Sequence, residues 1–244
     1  MLGSCSQIPK NDLQREYLKG KVKSILLSDF EGVEKFGEVT KGKLTGKYKY
    51  IYNDKGNLIE EQRFQSDGNL YYKYVFFYDS RGNKNRVEKQ FYPIDQSAPL
   101  IDKYVYDEKG NIVEENSYGT NGGLNFKTKY IFDDKGNQIV GENYNSDGSI
   151  SSKYEFQYDK RGFKIQENYF NSDGSFDRYV EYDYDDDGNT LERREYIGNS
   201  IDKTEYIYTS FMKQNWTKRI SRFDGESSFT KFITYSEREI KYFD

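Results

Sequence analysis

The chain of 244 residues contains no histidine, one cysteine and three prolines. Without histidine, Ser-His-Asp triads, Cys-His dyads and histidine-ligated metal sites are excluded. The single cysteine, Cys5, excludes an internal disulfide bond and any multi-cysteine metal site. These absences remove much of ordinary hydrolase chemistry, and we expect neither an enzyme nor a cofactor.

Long apolar runs and basic runs are also missing. No stretch approaches the roughly 18 apolar residues that are needed to span a bilayer. The 37 basic and 41 acidic residues are mixed along the chain and give a net charge of -4. Because no basic stripe follows the chain, nucleic acid is not expected as a partner.

Aromatic residues are abundant instead. They make up 18% of the chain, against 34% for all hydrophobic residues together, with 25 Tyr and 17 Phe. Each buried aromatic side chain removes roughly 150–250 Å² from water, so rings can replace the missing aliphatic core. Disordered chains are poor in aromatic residues, and the composition therefore indicates a folded protein.

A repeat of 26 residues, once 28, organises the chain. The glycines that mark its first turn are Gly56, Gly82, Gly110, Gly136, Gly162 and Gly188. The glycines of a second turn follow 12 residues later, at Gly68, Gly122, Gly148 and Gly174. Extrapolation predicts a degenerate first unit from near Lys21 and a drifted last unit around Gln214, so the array holds about seven units.

The turn residues have a mechanical role. In Asp107-Glu108-Lys109-Gly110, the aspartate can accept a hydrogen bond from the backbone amide two residues on. The glycine can adopt the left-handed conformation that closes a four-residue hairpin. Each 26-residue unit is therefore predicted to be a double hairpin.

Aromatic residues four and six positions before each first-turn glycine alternate as one face of a strand, as in Tyr50 and Tyr52. An aliphatic residue follows three positions after the glycine, and the hairpin geometry predicts that Tyr50 faces Ile59. Another aromatic, such as Phe64, follows eight positions after the glycine with the wrong parity for the same face. Either the returning strand holds a bulge, which we favour, or the sheet has apolar surface on both sides.

The predicted fold class is all-β: an antiparallel β-meander of about seven double-hairpin repeats. A one-sided aromatic face must be covered, so the single sheet should coil into a spiral, a half-pipe or a partial barrel. Residues 1–20 are predicted to form an N-terminal tether with room for a short helix, capped by Asn11 or Asp12 and stopped by Gly20. Residues 21–244 should form a single β-repeat domain, with clear repeats over 45–200.

Two stretches resemble known bacterial sequences. The text YDSRGN at 78–83 and YDEKGN at 106–111 resembles the YD repeats of the Rhs and wall-associated families of bacterial surface and toxin proteins. The resemblance covers roughly residues 45–200, although the period of 26 is longer than the usual YD unit. It implies an extracellular β-repeat scaffold, sometimes credited with carbohydrate binding, and it transfers no catalytic residue.

The N-terminal MLGSC looks like the end of a bacterial lipoprotein signal, with Leu2 three residues before Cys5. This resemblance makes Cys5 a lipidation candidate and implies a lipoprotein at the cell surface, outer membrane or periplasm. A membrane contact is expected only through such an anchor. The alternative is a frayed N-terminus.

Three further features are weighed as candidate sites. Asp183, Asp185 and Asp187 begin like a calcium loop, but Arg194 stands where a bidentate glutamate is required, which favours a plain charged turn. The longer connection FYPIDQSAPLI at 91–101 is either a projecting contact loop or drift of the repeat. Its candidate contact residues are Tyr92, Pro93, Ile94 and Pro99. Trp216, the only tryptophan, is either a ligand contact or, as we favour, the plug of the last unit.

Three hypotheses for function follow. The first is a non-catalytic surface or periplasmic scaffold that binds a glycan or a protein. The second is a structural or self-assembly module that pairs through exposed sheet edges. The third and most distant is a glycoside hydrolase with two carboxylates, because Asp and Glu are plentiful but none stands apart from the repeat positions.

Overall fold

The computed structural model describes residues 11–79, 84–91, 100–228 and 230–244. Within these ranges the chain forms one short helix and sixteen strands. The helix is α1 (Asp12–Arg15), and the strands are β1 (Val22–Lys35), β2 (Glu38–Tyr52), β3 (Leu58–Phe64), β4 (Leu70–Tyr78), β5 (Lys84–Phe91), β6 (Leu100–Tyr106), β7 (Ile112–Tyr118), β8 (Leu124–Phe132), β9 (Gln138–Asn145), β10 (Ile150–Tyr158), β11 (Lys164–Asn171), β12 (Phe176–Tyr184), β13 (Thr190–Ile197), β14 (Ser200–Met212), β15 (Asn215–Gly225) and β16 (Thr230–Tyr242). The all-β meander predicted from the repeat is confirmed.

The order of hydrogen-bonded strands is that of a closed barrel, because each strand follows its neighbour in sequence and β1 pairs with β16. The first and last strands pair antiparallel from Val22 with Tyr242 to Glu31 with Thr234. The predicted open spiral or partial barrel is therefore wrong in this respect. The first and last strands, β1 and β16, are long. The backbone N–H and C=O groups along their edges can therefore hydrogen-bond to each other.

The chain divides into two compact units. The middle unit contains the described residues of Phe76–Lys89 and Gln96–Asp177, and the terminal unit contains those of Asn11–Val75, Gln90–Asp95 and Arg178–Asp244. The single β-repeat domain over 21–244 stays a prediction.

The first-turn chemistry is as predicted. Asp133 accepts hydrogen bonds from the amides of Lys135 (2.9 Å) and Asn137 (2.8 Å), and Gly136 has a φ of 75°. The bond to the amide four residues on recurs at the turns that begin with Asn53, Asp107, Asp159 and Asp185. The 26-residue count also reaches the tip of the β14–β15 hairpin, where Gln214 has a φ of 65°.

The predicted bulge is present in the repeat hairpins, but it changes which residues face each other in a way that we did not expect. Tyr50 faces Glu61, and the register shifts between Ile51 and Tyr52, so Ile59 falls outside the pairing. The predicted Tyr50–Ile59 pair is therefore wrong. The same shift occurs opposite Val113, Ile139, Ile165 and Leu191. The aromatic residue eight positions after the glycine stays on the opposite face, where Lys47 lies over the ring of Phe64 at 5.8 Å.

We call the sheet face that carries Tyr50 and its equivalents in other repeats the tyrosine face. In the middle unit this face is not filled by rings alone. Tyr104 (3.4 Å) and Tyr130 (2.8 Å) both donate hydrogen bonds to Glu115, and Ser117 donates to the buried Asp102 at 2.7 Å. Polar side chains are thus built into the interior of this unit, each with a partner, which is what burial of polar groups requires.

In the terminal unit an apolar cluster forms under α1. Asn11 caps the helix and, with Gln14, completes a capping box of two 2.9 Å hydrogen bonds. The predicted cap is confirmed, but the helix ends at Arg15, well before Gly20. The cluster is Leu13, Val22, Ile25, Tyr52 and Ile240. No helix of the described residues is long and apolar enough to cross a membrane.

Candidate functional site: an arginine–aromatic cluster in the terminal strands

The candidate site lies on the tyrosine face where β14, β15 and β16 pair. Tyr208 pairs with Arg219, and the register then shifts twice on the way to the pair of Phe211 with Trp216. Bulges re-aim side chains, and here the Trp216 ring comes to lie 5.8 Å from that of Tyr208. The irregular end of the repeat therefore has a definite geometry.

Two arginines cover this tryptophan. The guanidinium carbon of Arg238 is 3.6 Å from the centroid of the Trp216 ring, and that of Arg219 is 4.6 Å from it. Arg219 also lies over the ring of Tyr206 at 4.9 Å. Cation–π contacts of this kind stabilise a partly desolvated guanidinium. We call Tyr206, Tyr208, Trp216, Arg219 and Arg238 the arginine–aromatic cluster.

The electrostatics of the cluster are unusual because its two cations are close together. Burial and, second to it, the charge of Arg219 lower the pKa of Arg238 to about 10, against the opposing influence of Tyr52, Glu16 and Tyr208. The Nε atoms of Arg219 and Arg238 are buried and have no hydrogen-bond partner. A charged group in this state is costly unless something compensates it.

The chain that follows α1 borders the cluster at one end. Asn215, at the start of β15, accepts a hydrogen bond from the Lys19 amide and donates one to the Lys19 carbonyl, both at 2.8 Å. It also donates to the Tyr242 hydroxyl at 2.9 Å. These bonds anchor the N-terminal segment and the tip of the β14–β15 hairpin to one another.

A second arginine on the tyrosine face shows a different arrangement. Arg63 on β3 donates hydrogen bonds to the hydroxyls of Tyr48 (2.8 Å) and Tyr72 (3.0 Å). Its guanidinium carbon also lies 4.7 Å and 5.5 Å from the centroids of the same two rings. The terminal unit therefore contains two places where guanidinium and aromatic groups stack.

Of the candidate residues predicted from sequence, Trp216 is placed and is 6% exposed. Its ring packs against Arg219 and Arg238, and its suggested role as a ligand contact stays a prediction. Cys5, Tyr92, Pro93, Ile94 and Pro99 lie outside the described residues. Their suggested roles remain predictions.

The calcium-like run lies in the turn between β12 and β13. Asp185 accepts hydrogen bonds from the amides of Asp187 (3.0 Å) and Asn189 (2.8 Å), as in the other turns. Asp183 pairs with Arg194 at 2.8 Å. Within the described ranges no group of three or more acidic or cysteine side chains could hold a metal ion.

Sequence reasoning missed Arg219 and Arg238. A signal for Arg219 existed, because it stands five residues after Gln214, the position at which three repeats carry Glu61, Glu115 and Glu167. Counting the period forward would have shown a change of charge at this position. For Arg238 we find no such signal, since it lies beyond the last turn that the period reaches.

Comparison with known proteins supports the fold. No protein-family model and no curated protein sequence matches the chain. A porin-like protein from Bacteroides uniformis ATCC 8492 has a similar structure, with a TM-score of 0.61 at 11% identity, covering 90% of this chain and 98% of that one. At this identity the likeness shows the fold alone.

Two toxin structures match more weakly. The TcdB2-TccC3-TEV structure has a TM-score of 0.39 at 12% identity, covering 86% of this chain and 11% of that one. The Photorhabdus luminescens Tc holotoxin pore has a TM-score of 0.36 at 11% identity, covering 80% and 12%. These scores are too low to support an argument, and what the fold supports is a β-rich repeat protein.

Proposed function

We propose that the protein is a non-catalytic β-repeat scaffold of the bacterial cell surface or periplasm that binds a glycan or a protein. The observation that carries this proposal is the interleaving of guanidinium and aromatic groups on the tyrosine face of the terminal unit. Arg63 between Tyr48 and Tyr72 is one example, and Arg219 on Tyr206 and Trp216 is another. Tyrosine, tryptophan and arginine are the residues that dominate binding hot spots.

The location within the cell envelope is part of the proposal. It is supported by the YD-like turn text and by a fold similar to that of a porin-like protein, which is compatible with an outer-membrane or periplasmic protein. Membership of the YD-repeat families and lipidation of Cys5 belong to the same proposal.

Self-assembly through exposed sheet edges is less well supported. Within the terminal unit β1 pairs with both β2 and β16, so the strand that was expected to form a free edge has two partners. Concentration-dependent association in the absence of ligand, measured by light scattering, would nevertheless favour this alternative. No observation favours the two-carboxylate hydrolase.

The test is a glycan array and a protein-interaction screen with the full chain, followed by calorimetry on each hit. Tyr72→Ala removes a hydroxyl that holds Arg63 and should weaken binding. The matched control is Tyr71→Ala. Tyr71 is the residue next to Tyr72, lies at a β-bulge and is 44% exposed. Equal effects of the two substitutions, or binding that neither affects, would place the ligand away from this face.

A further inference from the structure

Arg219 and Arg238 differ from most arginines of the described chain in how their charge is compensated, and they share with Arg63 the contact with aromatic groups. Six arginines form ion pairs with carboxylates: Arg15, Arg161, Arg178, Arg193, Arg194 and Arg222. In the part of the chain that the structure describes, neither Arg219 nor Arg238 forms an ion pair with a carboxylate. Their compensation comes from aromatic rings, for Arg219 also from the hydroxyl of Tyr208, and for Arg238 also from the charge of Glu16, which forms no ion pair with it.

This arrangement is a poor solution for stability alone. Two like charges share one tryptophan, and both Nε donors are buried without an acceptor. Buried polar groups are almost always satisfied, and each exception calls for an explanation. The repeat itself shows that an acidic residue fits the Arg219 position, since Glu115 occupies its equivalent and accepts hydrogen bonds from two tyrosines.

We propose that Arg219 and Arg238 form the anion-recognition subsite of the binding face and take the carboxylate of an acidic sugar. This inference rests on the proposed function and narrows its ligand class. Both residues are half-buried: each keeps part of its surface exposed, while its Nε atom is shielded from solvent. A carboxylate accepts two parallel N–H bonds from arginine, and it would supply the missing counter-charge.

The aromatic surroundings favour a sugar over an acidic peptide. Tyr206 and Tyr208, which lie beside Arg219, are half-buried and keep part of their surface exposed, whereas Tyr52 is buried in the apolar cluster. Such rings offer flat apolar surfaces beside hydroxyls, and these suit a pyranose ring that carries one carboxylate. An acidic peptide would bring several charges to a place with two cations and the nearby carboxylate of Glu16.

Trp216 makes the test direct, because it is the only tryptophan of the chain and lies inside the cluster. The full chain is titrated with oligogalacturonate, with a neutral galactan oligomer of equal length, with inorganic phosphate and with poly-glutamate. Tryptophan emission and calorimetry are both recorded. Saturable binding of the acidic oligosaccharide with a change of emission, and weaker binding of the other three probes, is the expected result.

The key variant is Arg238→Met, which removes the charge and keeps a side chain of similar length. Loss of a buried charge that contacts the ligand should weaken binding by about 30-fold or more. Arg222→Met removes the same charge from β15 on the opposite face, where Arg222 pairs with Glu34, and should change affinity less than about twofold. Arg219→Met gives a second variant should the first fail to fold.

The outcomes separate this inference from the proposed function. Equal affinity for acidic and neutral oligosaccharides, or for wild type and Arg238→Met, would overturn the anion subsite and leave a glycan-binding scaffold in place. Tighter binding of poly-glutamate or phosphate would overturn the choice of an acidic sugar. Absence of binding to every glycan and protein tested would overturn the proposed function itself.

Discussion

Replacing Arg238 with methionine is expected to stabilise the ligand-free protein. Burial and the charge of Arg219 lower the pKa of Arg238 to about 10. Against the ordinary pKa of an arginine, this corresponds to a cost of about 3 kcal/mol for holding the protonated guanidinium in the folded state. A binding residue that costs stability is a common feature of functional sites.

The cost is partly offset within the native protein. The contact of Arg238 with Trp216 contributes about 2 kcal/mol when it is desolvated, and methionine would lose it. Methionine also packs well against aromatic rings, so little is lost in van der Waals contact. The net gain in the free energy of unfolding should therefore be about 1 kcal/mol, which corresponds to a rise in Tm of roughly 2–4 °C for a chain of this size.

The pH dependence follows from the sign of the shift. The folded pKa of Arg238 lies below the unfolded one, so the destabilising contribution is complete at neutral pH and decreases only as pH rises past about 10. The advantage of the methionine variant should thus be constant between about pH 6 and pH 9. Thermal unfolding followed by circular dichroism, supported by urea titration, measures it.

Arg222→Met is the reference for this measurement. Its ion pair with Glu34 is more exposed, and its loss should change stability by less than about 1 kcal/mol. If Arg238→Met instead lowers Tm by several degrees while Arg222→Met does not, the guanidinium is a net stabilising element. The reasoning that assigns it to a ligand would then be refuted.

Three further outcomes are expected. Asp133→Ala should lower the free energy of unfolding by about 1–3 kcal/mol, since two backbone amides lose their acceptor, whereas Asp134→Ala on the same turn should cost less than about 0.5 kcal/mol in urea titrations. Burial raises the pKa of Asp133, but hydrogen bonds from Asn137 and the amide of Lys135 outweigh it and leave the pKa lowered. Its stabilising effect should therefore be present above about pH 4 and be lost as pH falls through the lowered pKa, and an unchanged acid profile in Asp133→Asn would contradict this. Gly141→Ala should cost about 1–3 kcal/mol because the new Cβ collides with the Tyr154 ring, and a cost that persists in a Tyr154→Ala background would show another cause.

The hairpin turns were predictable because their information is local. An aspartate, two turn residues and a glycine specify both the hydrogen bonds and the left-handed residue, as Asp133 and Gly136 show. Even the turn at Gln214, where the glycine is lost, lies where the period places it. Repetition of a local rule predicted the all-β class and the antiparallel meander.

Strand register was harder to predict because a bulge leaves no certain mark in sequence. The aliphatic residue three positions after five of the six first-turn glycines looked like a facing partner for the aromatic residue six positions before the glycine. In the structure that residue is the one outside the pairing, and Tyr50 meets Glu61. The change of partner decides chemistry, since it places carboxylates rather than methyl groups against the tyrosines.

The pairing of the first strand with the last depends on residues that are far apart in sequence. Ile25 meets Ile240, and Ser236 donates a 2.6 Å hydrogen bond to Asp29 across the junction of β1 and β16. Neither strand carries the turn pattern of the central repeats. A rule based on the repeat could therefore predict a covered face but not the partner of its first strand.

The repeat pattern does not account for the residues of the candidate site. In three repeats the position five residues after the turn glycine holds a glutamate, and Glu115 illustrates how two tyrosine hydroxyls satisfy it. At Arg193 the charge is reversed, but Glu195 neutralises it at 2.6 Å. At Arg219 the charge is reversed again and no carboxylate follows, while Arg238 adds a second cation from the next strand. Natural sequences depart from their own local consistency mainly at functional sites, and in the last hairpins this departure leaves two cations on one ring. Val87 and Gly141 stand at the same position in two other repeats, so an uncharged residue also fits there, and a second cation beside Arg238 is not something that the repeat itself requires.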